Sequence, residues 1–188
     1  NTNLHVKEFI KSTFISADGV AATNIIEGTI YDRVEFSKVG SKLSSNVPQV
    51  VKSTNEFATS STKISDVASG NSLNAKAFIL EGIDVNGAAY SVQIDLATAG
   101  STFTVGVNTY DIFDMQTPRA AVDADEMTYR QLMDVVNMVV TGNLPAAAPG
   151  TSAQYDSAVE TASARGNTFL TYDGKIGFQE IGVGSTSA

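Results

Sequence analysis

Residues 77–96 carry the pattern that most limits what this chain can fold into. Beyond Asn86-Gly87 the apolar side chains alternate strictly with polar ones, which places one face of a strand in a core and the other in water. The alternating apolar residues are Tyr90, Val92, Ile94 and Leu96. An apolar run precedes the same dipeptide, and Asn-Gly is favoured in turns whose two central residues both need positive φ. The sequence therefore predicts a β-hairpin over 77–96.

Two further hairpins follow from the same kind of pattern. Residues 102–107 and 109–115 are strand-like and meet near Gly106, so they predict a hairpin over 102–115 that continues the first as a four-strand meander. Near the end of the chain, Asp173-Gly174 separates two more strand-like runs and predicts a hairpin over 168–181.

A helix is predicted over 128–141. Thr128 followed by Gln131 is a capping box, in which each side chain can bond the other residue's backbone amide. Apolar residues then recur at three- and four-residue spacing, and Gly142 supplies the C-terminal stop. We expect the apolar face of this helix to pack on the sheet.

A second, weaker helix is predicted over 151–165. Thr151 and Gln154 repeat the capping-box spacing, and we expect the helix to end at Gly166. Together these elements predict an α+β fold, an antiparallel β-hairpin sheet with one or two helices packed on it. The predicted α+β module spans residues 62–188.

Residues 1–61 are harder to assign. The spacing over 4–14 fits a short helix slightly better than a strand, whereas the β-branched run over 25–36 indicates extended structure. Residues 53–72 are nearly half Ser and Thr and predict a long surface connection. This N-terminal helix/strand segment either forms a separate piece or contributes strands to the same sheet.

The composition argues against catalysis and against several partners. The 188 residues include one histidine and no cysteine or tryptophan, so the side chains that most often react near neutral pH are almost absent. A net charge of -8 without a local basic run disfavours nucleic acid, and no apolar stretch reaches the roughly 18 residues of a membrane span. The chain begins without Met or a signal sequence, and we expect it to be a piece of a longer protein.

Each candidate for chemistry has a simpler structural explanation. His5 has no nucleophile motif to serve, and Asp123, Asp125 and Glu126 precede a helix whose N-terminus favours negative charge. Asp84 begins a segment that resembles part of a calcium loop, but its glycine comes too early and no glutamate closes the loop. The spaced glycines at 182 and 184 precede no predicted helix, as a phosphate loop would require.

The remaining candidates are aromatic side chains that could line a ligand pocket. At strand spacing such residues are far more often part of a core. They are Phe9, Phe14, Phe78, Tyr90, Phe103, Tyr110 and Phe113. We therefore predict no catalytic, cofactor-binding or metal-binding residue, and no cofactor.

Five segments together carry a family resemblance. They are 36–50 (FSKVGSKLSSNVPQV), 62–70 (TKISDVASG), 78–87 (FILEGIDVNG), 127–135 (MTYRQLMDV) and 172–180 (YDGKIGFQE). Their order and spacing over residues 30–181 resemble the flagellar hook-associated protein 3 (FlgL) family of Campylobacter- and Helicobacter-like bacteria. Polymerising segments in that family are long helical heptads at the chain ends, and this chain contains neither.

The resemblance implies an extracellular, non-enzymatic structural domain of the bacterial flagellum. It would be a central, surface-exposed insertion of the hook-filament junction protein, secreted by the flagellar export apparatus. Its partners would be copies of itself in a junction ring, and neighbouring hook-associated protein and flagellin subunits through parts outside this chain. The isolated piece is expected to be monomeric. The alternative is a surface adhesin or carbohydrate-recognition module whose exposed hairpin loops bind a ligand.

Overall fold

A computed structural model describes residues 4–9, 14–15, 21–22, 29–34, 36–39, 42–70 and 72–182, with side chains from residue 42 onward. The strands are β1 Leu4–Phe9, β2 Phe14–Ile15, β3 Ala21–Ala22, β4 Thr29–Val34, β5 Phe36–Val39, β6 Lys42–Pro48, β7 Lys76–Ile83, β8 Ala89–Leu96, β9 Thr102–Val105, β10 Asn108–Asp111, β11 Gly166–Leu170 and β12 Lys175–Glu180. The helices are α1 Ile64–Val67, α2 Tyr129–Thr141 and α3 Ser152–Ser163. The α+β class is confirmed, because antiparallel sheets pack against the two longer helices.

The predicted meander forms a four-stranded sheet in the order β10-β9-β8-β7. On β8 the side chains of Val92, Ile94 and Leu96 are buried while Ser91 and Gln93 are exposed, as the alternation predicts. The hairpins over 77–96 and 102–115 are thus confirmed, although β10 ends at Asp111 rather than near residue 115. Beyond Asp111 the chain turns away to bond other loops instead of β9.

The turn between β7 and β8 differs from the expected one. Gly87 has positive φ (85°) but Asn86 does not, so the prediction of two positive-φ residues is wrong. The reason is Asp84, whose Oδ1 accepts hydrogen bonds from the backbone N–H groups of Asn86 (2.9 Å) and Ala88 (2.8 Å). These side-chain bonds fix the turn, so that only Gly87 adopts positive φ.

Both helix starts are confirmed. Gln131 Oε1 accepts the Thr128 N–H at 2.7 Å, and Gln154 Oε1 accepts the Thr151 N–H at 3.0 Å. Gly142 ends α2 in the left-handed region at φ 71°. The expected stop of the second helix at Gly166 is wrong, because α3 ends at Ser163 and Gly166 begins β11.

A close approach explains the glycine at the start of β11. A Cβ atom at Gly166 would lie 2.7 Å from the Phe178 ring and 3.0 Å from the Thr141 methyl group. Gly166 therefore allows α2 and β12 to meet over β11.

The hairpin over 168–181 is confirmed, but its strands do not join the meander. They form a second four-stranded sheet in the order β11-β12-β6-β5, so the three predicted hairpins divide between two sheets. The register pairs Phe178 on β12 with Leu43 on β6. Strands from the N-terminal segment thus lie beside the last strand of the chain.

The structure also corrects the start of the chain. Leu4–Phe9, expected to be helical, is a strand that pairs antiparallel with Thr29–Val34. A strand of this length is fixed by a partner distant in sequence rather than by its own periodicity. Extended structure over 25–36 is confirmed where it is described, at 29–34 and at residue 36. The side chains of His5, Phe9 and Phe14 lie outside the described residues.

The connection over 53–72 lies largely at the surface but has structure of its own. It includes the one-turn helix α1 and the buried Ala58, whose N–H bonds the Gln49 carbonyl at 2.8 Å. Residue 71 lies outside the described residues.

The main core lies between the meander and the two longer helices. Phe103 stacks on Tyr110 with ring centroids 5.1 Å apart, and Phe113 meets Tyr155 edge-on at 5.7 Å. A smaller cluster joins Tyr129 and Met133 of α2 to the second sheet. Within the described ranges, the helices fall short of the length and apolar character needed to cross a membrane.

Candidate functional site

The acidic residues before α2 bond a distant loop. Asp125 Oδ1 accepts the Leu73 N–H at 2.6 Å, and Asp125 Oδ2 accepts the Ser72 hydroxyl at 2.8 Å. Asp123 Oδ1 in turn accepts the Asp125 N–H at 2.8 Å. These bonds attach the chain before β7 to the start of α2.

Neighbouring contacts reinforce the attachment. Glu126 pairs with Lys63 at 2.7 Å, the Ser65 hydroxyl donates to the Asp125 carbonyl at 2.8 Å, and the Ile64 N–H donates to the Met127 carbonyl at 2.9 Å. The hydrogen bond with Glu126 raises the pKa of Lys63. We call this set the acidic clasp, comprising Asp123, Asp125 and Glu126 with Lys63, Ser65, Ser72 and Leu73.

The clasp changes the interpretation of the three carboxylates. Helix-terminus electrostatics was the expected role, yet none of them lies in the first turn of α2, and each bonds backbone or side-chain groups. Directed hydrogen bonds, most of them between two loops distant in sequence, account for these residues better than a diffuse interaction with the helix dipole.

Asp125 should make the stability of the chain dependent on acid pH. The Leu73 backbone hydrogen bond, followed by that of Ser72, lowers the pKa of Asp125 in the folded state. A lowered folded pKa adds stability above the unfolded value of about 4, and that stability is lost as pH falls through the folded pKa. Urea midpoints at about pH 6 and pH 3 should therefore differ less in Asp125→Asn than in the unaltered chain.

Glu160→Gln is the matched control for that measurement. Glu160 is an exposed carboxyl on α3. An Asp125→Asn variant with the same pH dependence as Glu160→Gln and the unaltered chain would contradict a stabilising role for the clasp.

Other sequence candidates are also occupied by structural contacts. Asp84 organises its turn, and the described residues include no group of three or more potential metal ligands among His, Cys, Asp and Glu. Phe103, Tyr110 and Phe113 are buried in the core, while Phe78 and Tyr90 pack at its margin. Gly184 lies outside the described residues.

A groove that sequence analysis did not predict lies between α2, β11 and the loop at 57–60. Its volume is about 470 Å³. Four lining residues occupy one face of α2, at positions i, i+3, i+4 and i+7. They are Arg130, Met133, Asp134 and Asn137. β11 contributes Thr168, and the following turn contributes Tyr172. We call this the α2–β11 groove.

Two buried oxygens belong to the lining residues of this groove. Asn137 is 6% exposed and Thr168 is 9% exposed, and neither Asn137 Oδ1 nor Thr168 Oγ1 has a hydrogen-bond partner among the described residues. A buried polar atom without a partner costs about 1–3 kcal/mol, so such atoms are uncommon in folded proteins.

Charge within the groove is balanced. Arg130 Nε lies 3.1 Å from Asp134 Oδ1 and 3.3 Å from Oδ2. Burial raises the pKa of Asp134 despite the opposing effect of Arg130. A ligand therefore meets a matched ion pair rather than an excess of either charge.

The spacing of polar residues on α2 was the only sequence signal for this groove. A polar stripe on a helix is usually a solvated face, and nothing in the sequence places Thr168 opposite it. Only the packing of β11 beside α2 brings the two unpartnered oxygens to one groove.

Comparisons with known proteins give no relative. No family model, curated protein or solved structure matches this chain. The expectation of a flagellar family therefore depends on the five segments named above.

Proposed function

We propose that this chain is a non-catalytic structural domain of the bacterial flagellum. It would project from the outside of the hook-filament junction as an insertion in the junction protein, and assembly would depend on parts outside this chain. The resemblance over residues 30–181 supports the location. We propose that the domain acts as a stable folded structure and catalyses no reaction.

The observation that carries the non-catalytic part of the proposal is the acidic clasp. Catalytic carboxylates need an open position at which a substrate can meet them. The two oxygens of Asp125 instead accept from Leu73 and Ser72, and Glu126 pairs with Lys63. The residues that most resembled an acid-base pair are thus engaged in holding one loop against another.

Gold labelling of isolated flagella tests the location. Antibodies raised against residues 42–182 should label a single narrow band between hook and filament in the bacterium that encodes the chain. Antibodies against flagellin, which mark the filament along its length, serve as the control. Label over the cell body with none on the flagellum would overturn the proposal and favour the adhesin.

A further inference from the structure

We propose that the α2–β11 groove binds a neutral saccharide, by stacking a sugar ring on Tyr172 and bonding sugar hydroxyls with the polar residues beneath it. This inference is independent of where the chain resides in the cell. It is drawn from the exposed aromatic side chains at the edge of the groove, the two unpartnered oxygens and the balanced charge.

Exposed aromatic side chains define the edge. Tyr172 is 96% exposed at the turn after β11, and Phe57 is 49% exposed on the facing loop. A large aromatic ring left in water at a turn has no role in the core, and its apolar face is suited to the C–H face of a pyranose. Both rings line the same groove, so a flat ligand of mixed polarity can contact either one.

The polar residues beneath the edge match a ligand rich in hydroxyl groups. Asn137 Oδ1 is an acceptor without a donor, and the Thr168 hydroxyl can both donate and accept. Both oxygens are covered in the unbound chain, so sugar hydroxyls, which also donate and accept, would bond them after the two side chains rotate toward the groove. Further lining groups of the same kind are Thr59, Ser60, Ser163, Asn167 and Thr171.

Charge selects a neutral ligand over an acidic one. Arg130 is the cation of the groove, and it is already paired with Asp134. Arg130 pairs with Asp134 through Nε, so a phosphate or uronate bound to its outer nitrogens would lie beside the Asp134 carboxylate, which repels it. A neutral sugar can bond the outer atoms of both side chains while the pair stays intact.

An oligosaccharide array followed by amide NMR titration of the 188-residue chain tests the proposal. The array should carry neutral and acidic oligosaccharides together. We expect binding to one or more neutral oligosaccharides, with the largest amide shifts at Asn137, Thr168 and Tyr172. No neutral oligosaccharide bound at millimolar concentration, acidic ligands only, or shifts outside the groove would each overturn it.

Three variants separate binding from folding. Tyr172→Ala should weaken the saccharide about tenfold, whereas Val107→Ala, at an equally exposed turn residue (97%), should not change affinity. Thr168→Val keeps the side-chain shape and removes an unpartnered hydroxyl, so it should preserve or raise stability while weakening the saccharide about three- to tenfold. Undiminished affinity in Thr168→Val and Tyr172→Ala, or binding of extended peptides along β11 in place of sugars, would contradict the saccharide site.

Discussion

Replacing Gly174 with alanine should destabilise the chain more than any other turn substitution. Gly174 has φ 73°, where an L-residue is strained by about 1–2 kcal/mol. A Cβ there would also lie 2.6 Å from the Gln49 carbonyl oxygen. The backbones cannot separate freely, because the Gln49 N–H donates to the Gly174 carbonyl at 2.8 Å. We expect a loss of about 3 kcal/mol or more in the free energy of unfolding, measured in urea.

Gly106→Ala is the matched control. Gly106 also occupies a hairpin turn at positive φ (62°), but a Cβ there would meet nothing within 4 Å. Its loss should be confined to backbone strain, about 1–2 kcal/mol. Equal losses in the two variants would show that the contact between the β11–β12 turn and the end of β6 does not stabilise the fold.

Replacing Phe103 with alanine should have the other large effect. The Phe103 ring is fully buried, stacks on Tyr110, and lies opposite Ile94 in the ladder of β8 and β9. Truncation removes apolar burial and leaves a cavity that a close-packed core cannot fill, so the expected loss is about 3–5 kcal/mol.

The same hairpin supplies the control for the core substitution. Val107 lies in the turn between β9 and β10 and is 97% exposed, so Val107→Ala should change the free energy of unfolding by no more than about 0.5 kcal/mol. A loss below about 1 kcal/mol in Phe103→Ala would mean that the meander does not pack against α2 and α3 as described.

Local signals predicted the elements whose determinants lie within a few residues. The two capping boxes marked the starts of α2 and α3, and the turns at Gly87 and Gly174 marked two hairpins. Each depends on hydrogen bonds or backbone angles that neighbouring residues set. Gly166 was wrongly predicted to end α3. A glycine is required there because the Phe178 ring leaves no room for a Cβ, and the sequence does not show that Phe178 lies beside it.

Capping boxes and turn residues could not predict which strands pair over long distances in the sequence. β6 pairs with β12, which lies more than 120 residues later in the chain. Leu4–Phe9 is a strand because it pairs with Thr29–Val34. Strand propensity depends on such partners, so a single six-residue run cannot distinguish strand from helix.

The site residues show the same limit. The carboxylates of Asp123, Asp125 and Glu126 were identified as structural, but their partners at 63–73 were not foreseen. The groove was missed altogether, because Asn137 and Thr168 acquire their significance only when α2 and β11 lie side by side.

The central structural claim is that residues 42–182 are one folding unit, held together by the pairing of β6 with β12 and by the acidic clasp. Native-state amide hydrogen exchange tests it most directly. The Ala58 amide, bonded to Gln49 before the clasp, and the Ile94 amide, in the centre of the meander, should exchange with opening free energies that agree to within about 1 kcal/mol. In Asp125→Asn the Ile64 amide, which donates to Met127 within the clasp region, should lose protection before that of Ile94 does. In the unaltered chain, an opening free energy for the Ala58 amide far below that of the Ile94 amide would contradict the claim.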